Sequence, residues 1–313
     1  MIVVELQDGH LVGRGEAMGI FYFNETLASM IAQVEEVTER IVAGATRTDL
    51  LDLLPPGGAR SALDCALWDL RARIEGKRIC EMVATATGPS DAIPAQRVRL
   101  YASGGVSYDW NQDPIQLVRE AYSHIATGFT AFKMRVGTEW NRSGITTSQM
   151  IDLLHQVTEA VDGRMELMLD GNSRLSESDA HTIASALDDL NWAWFEEPMP
   201  LNPLTYARLN DSVDIPITGG ESFSLAKQFE PYLEAGAFTI AQPDVGVCGV
   251  SEWLRIVNHA YRCGVEVCPH SWHNGLLGVS HAHLLAALPR PRPLELCMVQ
   301  GPLQWEILHE PPP

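Results

Sequence analysis

An α/β fold, a (β/α)7β TIM-like barrel preceded by a smaller α+β domain, is what this 313-residue sequence predicts. Three observations carry it. From Val98 onward, eight short apolar runs alternate with seven helix-length stretches. Six charged or ionisable residues end successive apolar runs, at steps of 26, 25, 23, 26 and 25 residues. A strand, a loop and a helix take about that length, and the chain suits one barrel of roughly 250 residues plus a small domain.

Residues 1–95 read as the α+β domain and 96–313 as the barrel. Ile2–Leu6 and Leu11–Ala17 form a hairpin about an Asp-Gly turn. An aromatic loop, Gly19 to Phe23, follows, and within it Tyr22 is a candidate substrate contact. Asn24 is placed to cap a helix whose apolar positions Leu27, Met30, Ile31, Val34, Val37 and Ile41 recur at helical spacing. Pro55-Pro56-Gly57-Gly58 breaks the chain before a second helix with a stripe of Leu63, Leu67 and Leu70. Gly88 to Ala95, with two prolines, is the linker.

In the barrel the expected strands are Val98–Ala102, Thr130–Val136, Met165–Asp170, Trp192–Glu196, Ile215–Glu221, Phe238–Asp244, Val265–His270 and Leu294–Leu296. Helices are expected at about 113–126, 148–161, 176–190, 203–210, 224–235, 250–263 and 276–288, with starts at Asp113-Pro114 and Ser176.

Barrel chemistry sits on the rim formed by the C-terminal strand ends, so the regular spacing turns six distant residues into one cluster. Asp170, Glu196 and Glu221, from three consecutive strands, form an all-carboxylate set without Cys or His. Hard oxygen donors of this kind suit Mg²⁺ rather than Zn²⁺. Lys133 and Arg135 lie two apart on one strand and share a face. A lysine beside a metal and an arginine can act as a base, whereas a guanidinium stays charged and donates hydrogen bonds. Asp244 and His270 end adjacent strands, where a carboxylate can hold an imidazole in one tautomer. Asn172, Gln242 and Glu295 share the inward parity, and His273 in H-S-W-H is placed to touch substrate.

Taken together, A-L-D-C-A-L-W-D-L, K-M-R, D-G-N, E-E-P, G-G-E, Q-P-D-V-G with C-G-V, and P-H-S-W-H-N-G resemble the enolase superfamily, in its mandelate racemase and muconate-lactonizing branch. The resemblance covers essentially the whole chain. It implies a capping domain over the barrel, an essential Mg²⁺ on Asp170, Glu196 and Glu221, and abstraction of the proton α to a carboxylate to give an enediolate. By position it assigns Lys133, Arg135, Asp244, His270 and Glu295 to the catalytic set. The His–Asp pair is similar to the racemase-like subgroup, while E-T-L-A-S-M-I-A-Q-V-E and L-P-P-G-G-A-R-S-A-L-D-C-A-L-W-D resemble dipeptide epimerases. Two features depart from the pattern. Arg135 stands where racemases carry a second lysine base, and the chain looks short at both ends, so either a truncated gene or a reduced specificity lid over the barrel is expected.

These residues lead to an expected Mg²⁺-dependent dehydration of a sugar acid, an aldonate or aldarate. The alternative is a racemase or epimerase of a 2-hydroxy acid, an N-acyl amino acid or a dipeptide, which needs a base on each face. A third possibility, prompted by the short ends, is a metal-binding pseudoenzyme. An amidohydrolase would want H-x-H on the first barrel strand, and Val98–Ala102 has no histidine.

A formal charge of −18 argues against nucleic acid, whose binding needs a basic footprint. No apolar run reaches the roughly 20 residues of a membrane span, and the N-terminus lacks a signal-peptide layout. Six scattered cysteines without C-x-x-C fit buried thiols in a reducing cytoplasm. The expected partners are a small carboxylate substrate and further copies of the chain as a homo-oligomer, with no membrane.

Overall fold

The computed structural model describes residues 1–17, 25–42, 51–87, 93–106, 113, 115–135, 144–273, 275–299 and 305–310. Tyr22, Asn24, Pro114 and most of the expected linker lie outside the described residues.

Strands β1 (Ile2–Asp8) and β2 (Leu11–Ala17) pair antiparallel, with Gly9 at φ 59° in the turn. Helices α1 (Leu27–Val42), α2 (Gly58–Glu75) and α3 (Ile79–Thr87) follow. The α2 helix is buried on more sides than the expected leucine stripe. Leu67 and Leu70 are only half-buried, whereas Ala59, Ala62 and Ala66 face the hairpin core and Cys65, Trp68 and Ala72 face the barrel. Small residues let the backbones approach. A Cβ built on Gly15 would stand 1.9 Å from the Ala62 carbonyl, and one on Gly13 would stand 2.3 Å from that of Ala66. Gly15→Ala should therefore force the helix off the hairpin and cost about 1–3 kcal/mol, as overpacking does. An unchanged urea midpoint in that variant would show that the contact is dispensable.

The second sheet has eight parallel strands in the order β10-β3-β4-β5-β6-β7-β8-β9. They are β3 (Leu100–Gly104), β4 (Ala131–Arg135), β5 (Glu166–Asp170), β6 (Trp194–Glu196), β7 (Ile217–Gly219), β8 (Ile240–Ala241), β9 (Glu266–Val267) and β10 (Leu294–Cys297). Among the described residues seven helices separate them: α4 (Gln116–Ala126), α5 (Thr147–Val161), α6 (Glu177–Asp189), α7 (Pro203–Asn210), α8 (Ala226–Glu234), α9 (Val245–Arg262) and α10 (Gly275–Ala286). This is the expected TIM-like architecture. The edge strands β9 and β10 are joined by side chains rather than by a ladder: Arg292 Nε reaches Glu266 at 2.6 Å, and the Ser271 amide donates to Glu295 Oε2 at 2.8 Å.

Several boundaries differ from expectation. The first barrel strand sits two residues later, at Leu100–Gly104, and β7 to β9 are only two or three residues long. The α4 helix starts at Gln116 without a side-chain cap, rather than at Asp113. The α9 helix begins with an additional stretch from Val245, where Asp244 caps it by accepting the Gly246 amide at 2.7 Å, ahead of the part expected from residue 250. It breaks at Gly249, whose φ of 73° belongs to the left-handed region. There a Cβ would meet Asp64 Oδ2 at 2.8 Å, so glycine admits the carboxylate of α2. The Ser176 cap is present, accepting from the Asp179 amide.

Inside the barrel, Tyr101, Ala131, Met168, Trp194, Ile240 and Cys268 form a separate apolar cluster. Strand alternation places the next inward residue two positions on. That step yields Lys133, Asp170, Glu196, Gln242 and His270, so a dry floor supports a polar layer.

Candidate active site

Each ionisable group in the polar layer is buried and paired. The Lys133 ammonium donates to Glu196 Oε1 at 2.6 Å and lies 2.8 Å from Glu295 Oε1. Burial works against its charge, but Glu196, Glu295, Asp170 and Glu221 outweigh burial and keep Lys133 protonated. Arg135 Nε donates to Asp170 Oδ2 at 3.1 Å, and its guanidinium lies 4.8 Å from the Trp272 ring centroid, in cation–π range. Its charge too is held by carboxylates, Asp170 first, against burial.

Glu196 is completely buried and also accepts from Gln242 Nε2 at 2.7 Å and Trp194 Nε1 at 3.3 Å. Burial pushes its carboxyl up, against the pull of Lys133. Burial acts the same way on Glu295, but there Lys133, His270 and the Ser271 amide prevail and hold the carboxyl low. The Asp170 carboxylate takes the Asn172 amide at 2.7 Å, so Asn172 serves Asp170 through its backbone while its side-chain oxygen accepts from Arg174.

Asp244 is the hub of the opposite wall. His270 Nδ1 lies 2.7 Å from its Oδ2, His273 Nε2 lies 2.8 Å from the same oxygen, and His281 Nε2 lies 3.1 Å from Oδ1. Burial opposes its ionisation, yet the three imidazoles hold Asp244 well below the usual carboxylate range. The other nitrogen of His270 is 3.3 Å from Glu221 Oε2. Burial alone would lower the His270 pKa; Glu221, Glu295 and Asp244 reverse that and lift it to about 10.

Behind the acids, Asn172, Ser173 and Glu197 adopt positive φ of 48°, 57° and 34°. Such backbone is costly for non-glycine residues and persists where surroundings impose it. Here the Gly171 and Ser173 amides donate to the carbonyls of Glu196 and Glu197, which fixes the ends of β5 and β6 together. The Glu197 carboxylate accepts from Ser173 Oγ at 2.7 Å and the Gly220 amide at 3.1 Å, tying in β7.

The structure thus brings together Lys133, Arg135, Asp170, Glu196, Glu221, Asp244, His270, His273 and Glu295. Tyr22 lies outside the described residues. Sequence reasoning missed Trp272, Ser271, Glu197 and His281. The last was detectable, since His281 follows Leu277 by four residues on the buried face of α10, where an unpaired histidine is costly. The small domain reaches this wall directly: buried Glu16 accepts the amides of Leu276 and Leu277 at the start of α10, and Ser61 Oγ donates to the Val245 carbonyl.

For a hard divalent cation the donor set fits: five buried carboxylates (Asp170, Glu196, Glu221, Asp244, Glu295) face two fixed cations, Lys133 and Arg135. Among the described residues, however, the tight group, with ligand atoms all within 4.8 Å of one another, is Asp244, His270 and His273.

A family model described as enolase C-terminal domain-like matches residues 116–313. The chain therefore belongs to the enolase superfamily, on its mandelate racemase and muconate-lactonizing side, and is an enzyme of that superfamily. It is 28% identical to D-galactarolactone cycloisomerase of Agrobacterium fabrum, over 99% of this chain and 80% of that protein. It is also 28% identical to arabinonate dehydratase of Saccharolobus solfataricus, over 80% of this chain and 63% of that protein. The crystal structure of 3,6-anhydro-D-galactonate cycloisomerase from Zobellia galactanivorans superposes with a TM-score of 0.76 at 25% identity, covering 96% of this chain and 83% of that one. Among the described residues no helix is long and apolar enough to cross a membrane. Five of the six cysteines are buried and Cys263 is exposed.

Proposed function

We propose that this enzyme eliminates the β-substituent of a sugar acid, with the proton α to the carboxylate removed, in a reaction that requires Mg²⁺. The observation that carries the reading is the asymmetry of the two walls. On one wall Arg135 donates to Asp170 and Lys133 lies between Glu196 and Glu295, whereas on the other His270 is paired with Asp244 through Nδ1 and turns Nε2 towards Glu221. An epimerase needs a proton acceptor on both walls, and on the Lys133 wall the second position is Arg135, whose guanidinium donates hydrogen bonds and is a poor acceptor.

Asp170, Glu196 and Glu221 are the residues that would hold Mg²⁺. When bound, the ion supplies Lewis-acid stabilisation of the substrate carboxylate. His270 Nε2 takes the α-proton, and Lys133 and Arg135 donate hydrogen bonds to the oxygens where negative charge develops. The C–O bond at the β-carbon then breaks as His270 returns its proton to the departing oxygen. Loss of a hydroxyl gives water and an enol that tautomerises to a 2-keto acid. Where the departing oxygen belongs to a ring, the same steps open the ring, which fits the cycloisomerase names among the relatives. Asp244 holds the Nδ1–H tautomer throughout.

The test is incubation with acid sugars, their lactones and dipeptides in D₂O, with and without Mg²⁺, followed by NMR. A 2-keto product that depends on Mg²⁺ is expected, and Arg135→Lys should keep a substantial part of the rate because its charge survives. Recovered substrate of inverted configuration bearing deuterium, with no keto product, would replace this reading by epimerisation.

A further inference from the structure

We propose that Asp244 Oδ2, His270 Nδ1 and His273 Nε2 form a second cation site, suited to a borderline ion of the Zn²⁺ class, and that filling it switches off proton transfer at His270. The binding half stands on geometry alone; the switching half rests on His270 being the proton-transferring group.

The donors differ in kind from the Mg²⁺ set. Two imidazole nitrogens and one carboxylate oxygen favour ions such as Zn²⁺, whereas all-oxygen sets favour Mg²⁺. Three protein ligands with a fourth position open is the usual arrangement of an accessible zinc site. Here the ligand atoms lie within 4.8 Å of one another, and both nitrogens converge on a single oxygen, at 2.7 and 2.8 Å. The rings of His270 and His273 stand at 85° to each other with centroids 6.0 Å apart, so their edges meet at Oδ2 without stacking.

A supporting shell is in place. The Gly246 amide and His281 Nε2 both engage Asp244 Oδ1, at 2.7 and 3.1 Å, and leave Oδ2 as the ligand. Hydrogen bonds that orient a ligating carboxylate in this way are part of working metal sites. Asp244 is fully buried and ionised, His270 is 4% exposed, and His273 is half-buried on the loop after β9, where it offers a way in. Charge does not forbid a second cation: five carboxylates, two fixed cations and one Mg²⁺ leave the layer net negative.

The consequence for His270 follows from imidazole chemistry. An ion on Nδ1 takes the place of that proton, and the neutral ring then carries its remaining hydrogen on Nε2. The nitrogen facing Glu221 no longer has a lone pair with which to accept a proton. Occupation therefore blocks turnover without displacing Mg²⁺.

Co²⁺ is the probe, added to Mg²⁺-saturated protein. One equivalent should bind with the intense visible absorption of a four-coordinate N/O site, and Zn²⁺ should bleach it. His273→Gln should abolish the band, and His281→Asn should weaken binding by about tenfold while preserving the band shape. A weak six-coordinate spectrum in the parent protein, or an unaltered band in His273→Gln, overturns the site. In parallel, Zn²⁺ should suppress α-proton exchange at saturating Mg²⁺; undiminished exchange with Zn²⁺ bound overturns the switch. A cobalt band in a protein that exchanges no α-proton would sink the proposed reaction and leave the site standing, and exchange without the band does the reverse.

Discussion

Asp244→Asn should lower turnover by about 10⁴-fold while Mg²⁺ binding survives. The size follows from the analogous change in Ser-His-Asp enzymes, where an amide in place of the orienting carboxylate stabilises the wrong imidazole tautomer. In this protein the consequences go further, because the carboxylate accepts from three rings at once. An amide oxygen can replace one of its two acceptor atoms; the amide NH₂ must then face either His281 with the Gly246 amide, or His270 with His273. Either orientation sets donor against donor or rotates a ring. Turnover and Mg²⁺ affinity, measured on the same preparation, check this. Turnover within tenfold of the parent would remove Asp244 from the proton-transfer pair.

Much of the fold and of the candidate cluster is legible in the sequence because a barrel rim is a one-dimensional code. Each strand contributes its last inward residues to one ring, so equal spacing is the imprint of a shared rim. Asp170, Glu196 and Lys133 could be placed from strand parity alone. What the spacing does not carry is contact between parts far apart in sequence. The position of α2 depends on Gly13 and Gly15 lying under Ala62 and Ala66, and a strand containing Gly-Arg-Gly does not announce a helix 50 residues on. Similarly, the expected helix from residue 250 follows the break at Gly249, whereas the helical stretch before it, from Val245, is not legible in the spacing. Only the Asp64 carboxylate explains why the chain passes through that glycine and continues. The burial of His281 can be read from helical spacing, but its partner cannot. His281 sits within an apolar helix, and its partner lies 37 residues earlier.

Lys133→Met should destabilise the metal-free protein by about 3–5 kcal/mol, the usual effect of removing one partner from a buried ion pair. Lys133 is 2% exposed and its ammonium contacts two carboxylates, Glu196 and Glu295, which are 0% and 1% exposed. Methionine fills the space and supplies no charge, so both acids must be protonated or remain buried and uncompensated. Glu196, which burial already pushes up, can take a proton; Glu295 keeps the Ser271 amide and loses its main counter-charge. Mg²⁺ should restore part of the loss, since a ligand that binds the folded state stabilises it by mass action. It should restore the Glu196 share and leave the Glu295 share, because Glu295 is not in the proposed ligand set. Double substitution to Lys133→Met with Glu295→Gln should therefore be more stable than Lys133→Met alone. Urea unfolding of the three proteins, with and without Mg²⁺, reads these differences directly. A single Lys133→Met variant as stable as the parent without Mg²⁺ would mean that the layer does not depend on this cation.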